Sequence, residues 1–195
     1  MDRFTIFGDL NSGNCLKVKY VSDFLGFSYD WVDIDILKSE TQSEKFLSLN
    51  PAGQVPVIEL KDGRALTQSN AIIQFLSEGT SLFPEDAFTR AEINSCLFWE
   101  QYSHEPYIAV CRFHMVYLGR TAAERESWRV EKGEQALDLM NRTLSQSDWF
   151  VGNGMTVADI SLFAYTQFVT EGGFSLHNRP AVKDWIVRVR RELKL

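Results

Sequence analysis

The chain has 195 residues, with 20 Lys and Arg against 26 Asp and Glu, for a formal net charge of −6. Its 45% apolar and 24% charged content is that of a globular protein long enough to bury a sizeable core. The acidic balance argues against nucleic acid or an anionic membrane surface as the main partner, and no apolar run approaches the roughly 18 residues that span a bilayer.

Phe4–Phe7 is a short β-rich run that stops at the polar loop from Gly8 to Asn14. From Cys15 to Leu25 the apolar residues Val18, Val21 and Leu25 recur at helical spacing, and Gly26 follows as a stop. Tyr29–Ile36 alternates, with Tyr29, Trp31, Asp33 and Asp35 on one face and Val32, Ile34 and Ile36 on the other, which predicts a strand. Ser43–Leu49 is a brief helix ending before Asn50-Pro51. Val57–Leu60 and Ala65–Thr67 flank Asp62-Gly63, a hairpin signal. Ser69 then reads as the cap of a helix carrying Ile72, Ile73, Phe75 and Leu76. The order β-α-β-α-β-β-α over residues 1–78 predicts a small mixed sheet.

Residues 79–86, with Pro84, read as a linker, and no strand pattern follows. Ala91, Phe98, Trp99 and Tyr102 mark a long helix that Pro106 should kink or interrupt. Gly133, Leu137, Met140 and Leu144 line a second helix. Thr156 and Asp159 fit a capping box, with Met155 and Ile160 at the staple positions, opening a third helix rich in Phe163, Tyr165 and Phe168. Pro180 starts a last helix through Trp185 and Val189. The expected domains are therefore an α/β unit over 1–78 and an all-α unit over 87–195; residues 1–78 carry a net charge of −4 and the rest of the chain −2.

Cys15, Cys96 and Cys111 have no pairing or zinc spacing, which suits a reducing cytoplasm. The first nine residues carry two acids and no long apolar stretch, unlike a secretory leader. His104 and His114 lack a third ligand partner in the pattern, so no metal is expected.

Four segments carry a family resemblance. Asn50-Pro51-Ala52-Gly53-Gln54-Val55-Pro56-Val57 resembles the signature loop of the cytosolic glutathione transferases. Leu66 to Ile72, with Gln68-Ser69 at its centre, resembles their glutathione-binding turn. Gly152 to Asp159 resembles their helix-capping motif, and Phe98 to Tyr107 resembles bacterial members, of the serine or theta-like type. The resemblance covers essentially the whole chain. It implies a thioredoxin-like N-terminal domain joined to a helical C-terminal domain. It also implies glutathione as co-substrate, a small apolar electrophile as second substrate, and a detoxifying homodimer.

Such an enzyme holds glutathione as a thiolate. A free thiol has a pKa of about 8.5, and lowering it by roughly 2 units takes about 2.7 kcal/mol of preferential stabilisation. One hydrogen bond to a charged partner supplies roughly 1.5–3 kcal/mol and a helix N-terminus roughly 0.3–1. Ser12, at the start of the first helix, is the candidate donor; Ser12-Gly13-Asn14-Cys15 reads as a Cys-x-x-Cys motif with Ser in the attacking position. Ser12 or Asn11 can equally serve as a simple helix cap. Cys15 is the rival nucleophile, with packing beneath the sheet as its alternative reading.

The resemblance further implies that Gln68 and Ser69 take the γ-glutamyl end. Val55 would pair with the cysteinyl part beside a cis Pro56, and Lys38 and Gln54 would meet the glycyl carboxylate. Gln68 stands where the family often has Glu. Tyr102, Tyr107 and Phe113 are the candidates for the electrophile pocket. Two other functions stay open: a glutathione-dependent thiol or peroxide reductase, and a binding module that has lost its chemistry.

Overall fold

The computed structural model describes residues 3–195, so the first two residues of the expected first domain lie outside the described residues. The chain divides into two compact units, one ending at Glu78 and the other beginning at Gly79.

The first unit holds a four-stranded sheet in the order β2-β1-β3-β4. Here β1 is Phe4–Gly8, β2 Tyr29–Asp33, β3 Val57–Glu59 and β4 Ala65–Thr67. β1 and β2 run parallel, joined by α1 (Gly13–Phe24), while β3 is antiparallel to both β1 and β4. On one face Phe7 and Val57 pack against Phe46 of α2 (Glu44–Leu49). Gly8 lies on the opposite face, and a Cβ there would meet Cys15 Sγ at 3.1 Å, so α1 lies against that side. Val18 and Val21 of α1 and Ile72 and Ile73 of α3 (Ser69–Ser77) are fully buried.

The hairpin forms as expected, with Gly63 at φ +84° and its N–H donating to Leu60 O. Strand β2 is shorter than its alternation predicts. Ile34 N–H still donates to Gly8 O, but the Asp35 carboxylate then accepts from the N–H groups of Leu37 and Lys38 and turns the chain away. Its half-buried residues are Tyr29 and Trp31, whereas Val32 is 37% exposed. β2 is an edge strand, so large rings shield the flank while the β-branched side faces water.

The second unit is helical: α4 (Ala87–Trp99), α5 (Glu105–Arg112), α6 (Ser127–Leu144), α7 (Val157–Thr166) and α8 (Pro180–Leu193). Asp86 caps α4 by accepting from Thr89 N–H at 2.8 Å. Pro106 does interrupt the long helix, through a π turn over Glu100–His104. Proline lacks an N–H and its ring would strike the carbonyl four residues back, and widening the preceding turn relieves both conflicts. A second π turn follows at Phe113–Tyr117.

The aromatic marks on α4 do not identify its core stripe. Phe98 is 74% exposed and Tyr102 81%, and the residues facing inward are Ile93, Leu97, Glu100 and His104. The α6 stripe of Gly133, Leu137, Met140 and Leu144 is buried as expected. α7 ends at Thr166, so Phe168 lies in the turn beyond it.

The capping box forms in full. Asp159 accepts from Thr156 N–H (3.0 Å), Thr156 Oγ1 (3.2 Å), Phe150 N–H (3.2 Å) and the Trp185 indole N–H (2.9 Å). Burial pushes the Asp159 carboxyl up, and these donors pull in the opposite direction. Met155 and Ile160 are both buried beside it. Thr156→Ala should cost about 1 kcal/mol of stability. That is read as a melting temperature lower by roughly 2–4 °C for a chain of this size.

Candidate functional site

The site residues of the first unit gather where strands end and helices begin. β1 runs out at Gly8, Asp9 opens the connecting loop, and α1 starts at Gly13 with Ser12 as its N-cap. Ser12 has extended backbone at φ −82° and ψ 120°, and its carbonyl accepts the first helical bond from Leu16 N–H at 2.9 Å. Its side chain makes no capping hydrogen bond. A half-buried hydroxyl in the first turn of a 12-residue helix is thus not consumed by the backbone.

Asn11 is exposed and tied to Asp9, whose Oδ1 accepts from its N–H at 2.8 Å and its side-chain amide at 3.2 Å. Cys15 is fully buried, with its sulfur accepting from Asp9 N–H at 3.4 Å. Burial pushes its thiol up to about 11, against opposing pulls from the Asp9 N–H and the Ser12 hydroxyl. At neutral pH it is a packed thiol. The two catalytic candidates, Ser12 as hydroxyl donor and Cys15 as nucleophile, therefore separate by environment: Ser12 is half-buried, while Cys15 is fully buried.

At the start of α3 the structure departs from the sequence reading. The cap position is Gln68, not Ser69, and Gln68 is exposed in a left-handed conformation at φ +69° and ψ 107°. Such a backbone costs a non-glycine residue of order 1–3 kcal/mol and recurs at binding sites. Ser69 is the first helical residue and is buried. Its hydroxyl donates to Asn14 Oδ1 at 3.0 Å.

That bond joins the beginnings of α1 and α3 across 55 residues of sequence, so the unpaired N–H groups of two helix starts lie side by side. Sequence reasoning missed Asn14. Its place in the Ser-x-Asn stretch at a helix start is the only local signal, and its partner is distant in the chain.

The Val55–Pro56 peptide is cis. Val55 is half-buried and Gln54 exposed, and Asn50 holds this loop by donating from its side chain to Gln54 O at 2.7 Å. Lys38 is exposed and paired with Asp35 at 3.0 Å, which raises its ammonium pKa and, in turn, lowers that of the Asp35 carboxyl. A cleft of about 340 Å³, lined in part by Arg3, Thr5, Asp30, Glu59 and Lys61, lies at the opposite end of the sheet from Ser12.

In the helical unit, Tyr102 is turned to solvent. Tyr107 stands edge-on to Trp128 with ring centroids 6.1 Å apart, and Phe113 stacks on Tyr117 at 5.1 Å. His104 is fully buried, its Nε2 3.0 Å from Thr166 Oγ1. Among the described residues no group of three or more His, Cys, Asp or Glu side chains is arranged to hold a metal, and no helix is long and apolar enough to cross a membrane.

Comparison with known proteins finds relatives for both units of the chain. Residues 11–78 fit the family model for the glutathione S-transferase N-terminal domain, and residues 96–192 that for the C-terminal domain. Glutathione S-transferase 2 of Anopheles gambiae is 30% identical over 183 residues, spanning 90% of this chain and 85% of that protein. A glutathione S-transferase structure from Pseudomonas fluorescens Pf-5 shares 43% identity at a TM-score of 0.93, covering 96% of this chain and 94% of that one. Another, from Xanthobacter autotrophicus Py2, shares 41% identity at a TM-score of 0.91, covering 96% and 92%. This chain belongs to the glutathione transferase family of enzymes.

Proposed function

We propose that the protein binds glutathione at the paired starts of α1 and α3, holds it as a thiolate beside Ser12, and conjugates it to small apolar electrophiles. The observation that carries this reading is the half-buried Ser12 hydroxyl, which caps no backbone N–H of its helix, beside a Cys15 thiol held protonated by burial. The hydroxyl donates to the sulfur, and the helix start adds partial positive charge. Catalysis is then thiolate stabilisation plus positioning, with no metal step.

The remaining contacts follow from chemistry. Ser69 and the N–H groups around it take the γ-glutamyl carboxylate, and exposed Gln68 offers its amide to the same end. The Val55 backbone pairs with the cysteinyl part, while Lys38 and Gln54 reach the glycyl carboxylate. Tyr107 and Phe113, with Tyr102, form the aromatic wall for the electrophile. Three unpaired cysteines suit work in a reducing cytoplasm.

Conjugation of a chloronitrobenzene separates the candidates. Ser12→Ala should lower kcat/KM by roughly 10- to 150-fold, the equivalent of one hydrogen bond to a charged sulfur, while Cys15→Ser stays near wild type. The opposite pattern, joined by mixed-disulfide reduction that depends on Cys15, would overturn the reading in favour of a reductase.

The thiol itself is checked by alkylation. With a pKa of about 11, only on the order of one Cys15 in ten thousand is thiolate at pH 7. Iodoacetamide should leave Cys15 unmodified at pH 7 in the folded protein, and its rate should climb about tenfold per pH unit between pH 8 and 9.5, as mass spectrometry of the peptide reports.

A homodimer is part of the same reading, supported by the exposed aromatic rings of α4, Phe88 (73% exposed) and Phe98. Phe98→Glu should halve the mass measured by sedimentation equilibrium if this face joins two copies, while leaving the melting temperature within a few degrees.

A further inference from the structure

Asn14 lies in the first turn of α1, half-buried, with its side chain toward the start of α3. The Ser69 hydroxyl donates to its Oδ1 at 3.0 Å, and among the described residues this is the only side-chain hydrogen bond that Asn14 makes. Other asparagines of the chain are built in differently. Asn50 is buried and spends both ends of its amide on the backbone, donating to Gln54 O at 2.7 Å and accepting from Ala52 N–H at 3.1 Å. Asn141 Oδ1 accepts from Ala181 N–H at 3.1 Å. Backbone partners are fixed, whereas a hydroxyl can turn about its own bond. Asn14 is thus held by a group that is able to leave it.

The Ser69 hydroxyl has a single proton. While that proton points at Asn14, it cannot be given to a carboxylate. For Ser69 to donate to the γ-glutamyl α-carboxylate, the hydroxyl must swing away, and Asn14 Oδ1 then loses its donor. A half-buried acceptor stranded in this way is costly unless another donor arrives. The γ-glutamyl head carries one, because its α-ammonium sits on the same carbon as the carboxylate. The two protein oxygens, 3.0 Å apart, therefore present one donor and one acceptor to a ligand group that presents one acceptor and one donor. Gln68, next to Ser69, is exposed and neutral, so it brings no carboxylate to the ammonium.

We propose that Asn14 reads the α-ammonium of glutathione. On binding, the Ser69 hydroxyl turns from Asn14 to the ligand carboxylate, and Asn14 Oδ1 accepts from the ammonium in its place. The inference rests on the glutathione site proposed at the starts of α1 and α3, and it adds a specificity-determining residue to that site. Asn14 makes the site selective for a tripeptide headed by an amino acid over one headed by a plain acid of the same length.

Two ligands without a free thiol isolate this contact from anything Ser12 does. S-methylglutathione carries the ammonium, and glutaryl-S-methylcysteinylglycine keeps the carboxylate with hydrogen in place of the ammonium. Calorimetry on the full chain should show the first bound about tenfold more tightly, as for a hydrogen bond to a charged group at a half-buried position. Asn14→Leu should erase that preference by weakening S-methylglutathione alone. Asn14→Asp should keep or enlarge it, and Ser69→Ala should weaken both ligands and leave the preference in place. Equal affinities in the wild type, or a preference that survives in Asn14→Leu, would overturn the role of Asn14 and leave the glutathione site standing. Asn14→Asp keeps an acceptor for Ser69, so a preference lost there overturns the proposal even where Asn14→Leu fails to fold. Binding of neither ligand would overturn the site itself and this inference with it.

Discussion

The first unit is organised around the missing side chain of Gly8. A Cβ at that position would lie 2.9 Å from Trp31 Cη2, closer than real packing allows, and 3.1 Å from Cys15 Sγ, a tight contact. Glycine there leaves room for the Trp31 ring and lets Cys15 of α1 come close to the carboxyl end of β1. The close approach has two effects at once. It takes Cys15 out of water, and it leaves the turn before it, with Ser12, at the rim. The exposure of each of the two side chains follows from that one helix spacing. The Ser69–Asn14 bond completes the arrangement by setting a second helix start beside the first.

The helical unit depends on a different device. Asp159 is fully buried yet meets donors from its own helix start, from the preceding loop at Phe150 and from Trp185 of α8. A single carboxylate therefore fixes where α7 begins, how the loop enters it and where α8 lies. The Trp185 ring adds edge contacts to Phe150 and Phe163. Replacing the acid would strand several donors together, so its loss reaches further than that of an ordinary cap.

Much of this was legible in the sequence wherever the cause was local. Asp62-Gly63 named its hairpin, Pro106 its helix break, Thr156 and Asp159 their capping box, and the α6 stripe its buried face, because each depends on neighbours within a few residues. The misreadings have non-local causes. Alternation over Tyr29–Ile36 separates two faces without saying which is covered, because that depends on β2 being an edge strand, which only the pairing of distant segments decides. Phe98 and Tyr102 fall at helical spacing, but that spacing cannot tell an inner face from an outer one. Ser69 looks like a cap, and it lost that position because Gln68 adopts a left-handed backbone that no propensity favours. Asn14 drew no notice because its role is defined by a residue 55 positions away. The widening of the turn at Glu100–His104 was likewise invisible, although the proline responsible for it was not.

The sheet has one more property that follows from its order. Its two outer strands, β2 and β4, span five and three residues. Asp30 on β2 is paired with Arg3, and the turn leading into β4 carries the Asp62–Arg64 pair. Short, charge-bearing margins of this kind are poor templates for a strand from another molecule. Self-association through the main chain is thereby discouraged on both flanks. The sheet's margins thus favour assembly through side-chain surfaces, which can be altered one residue at a time without endangering the sheet.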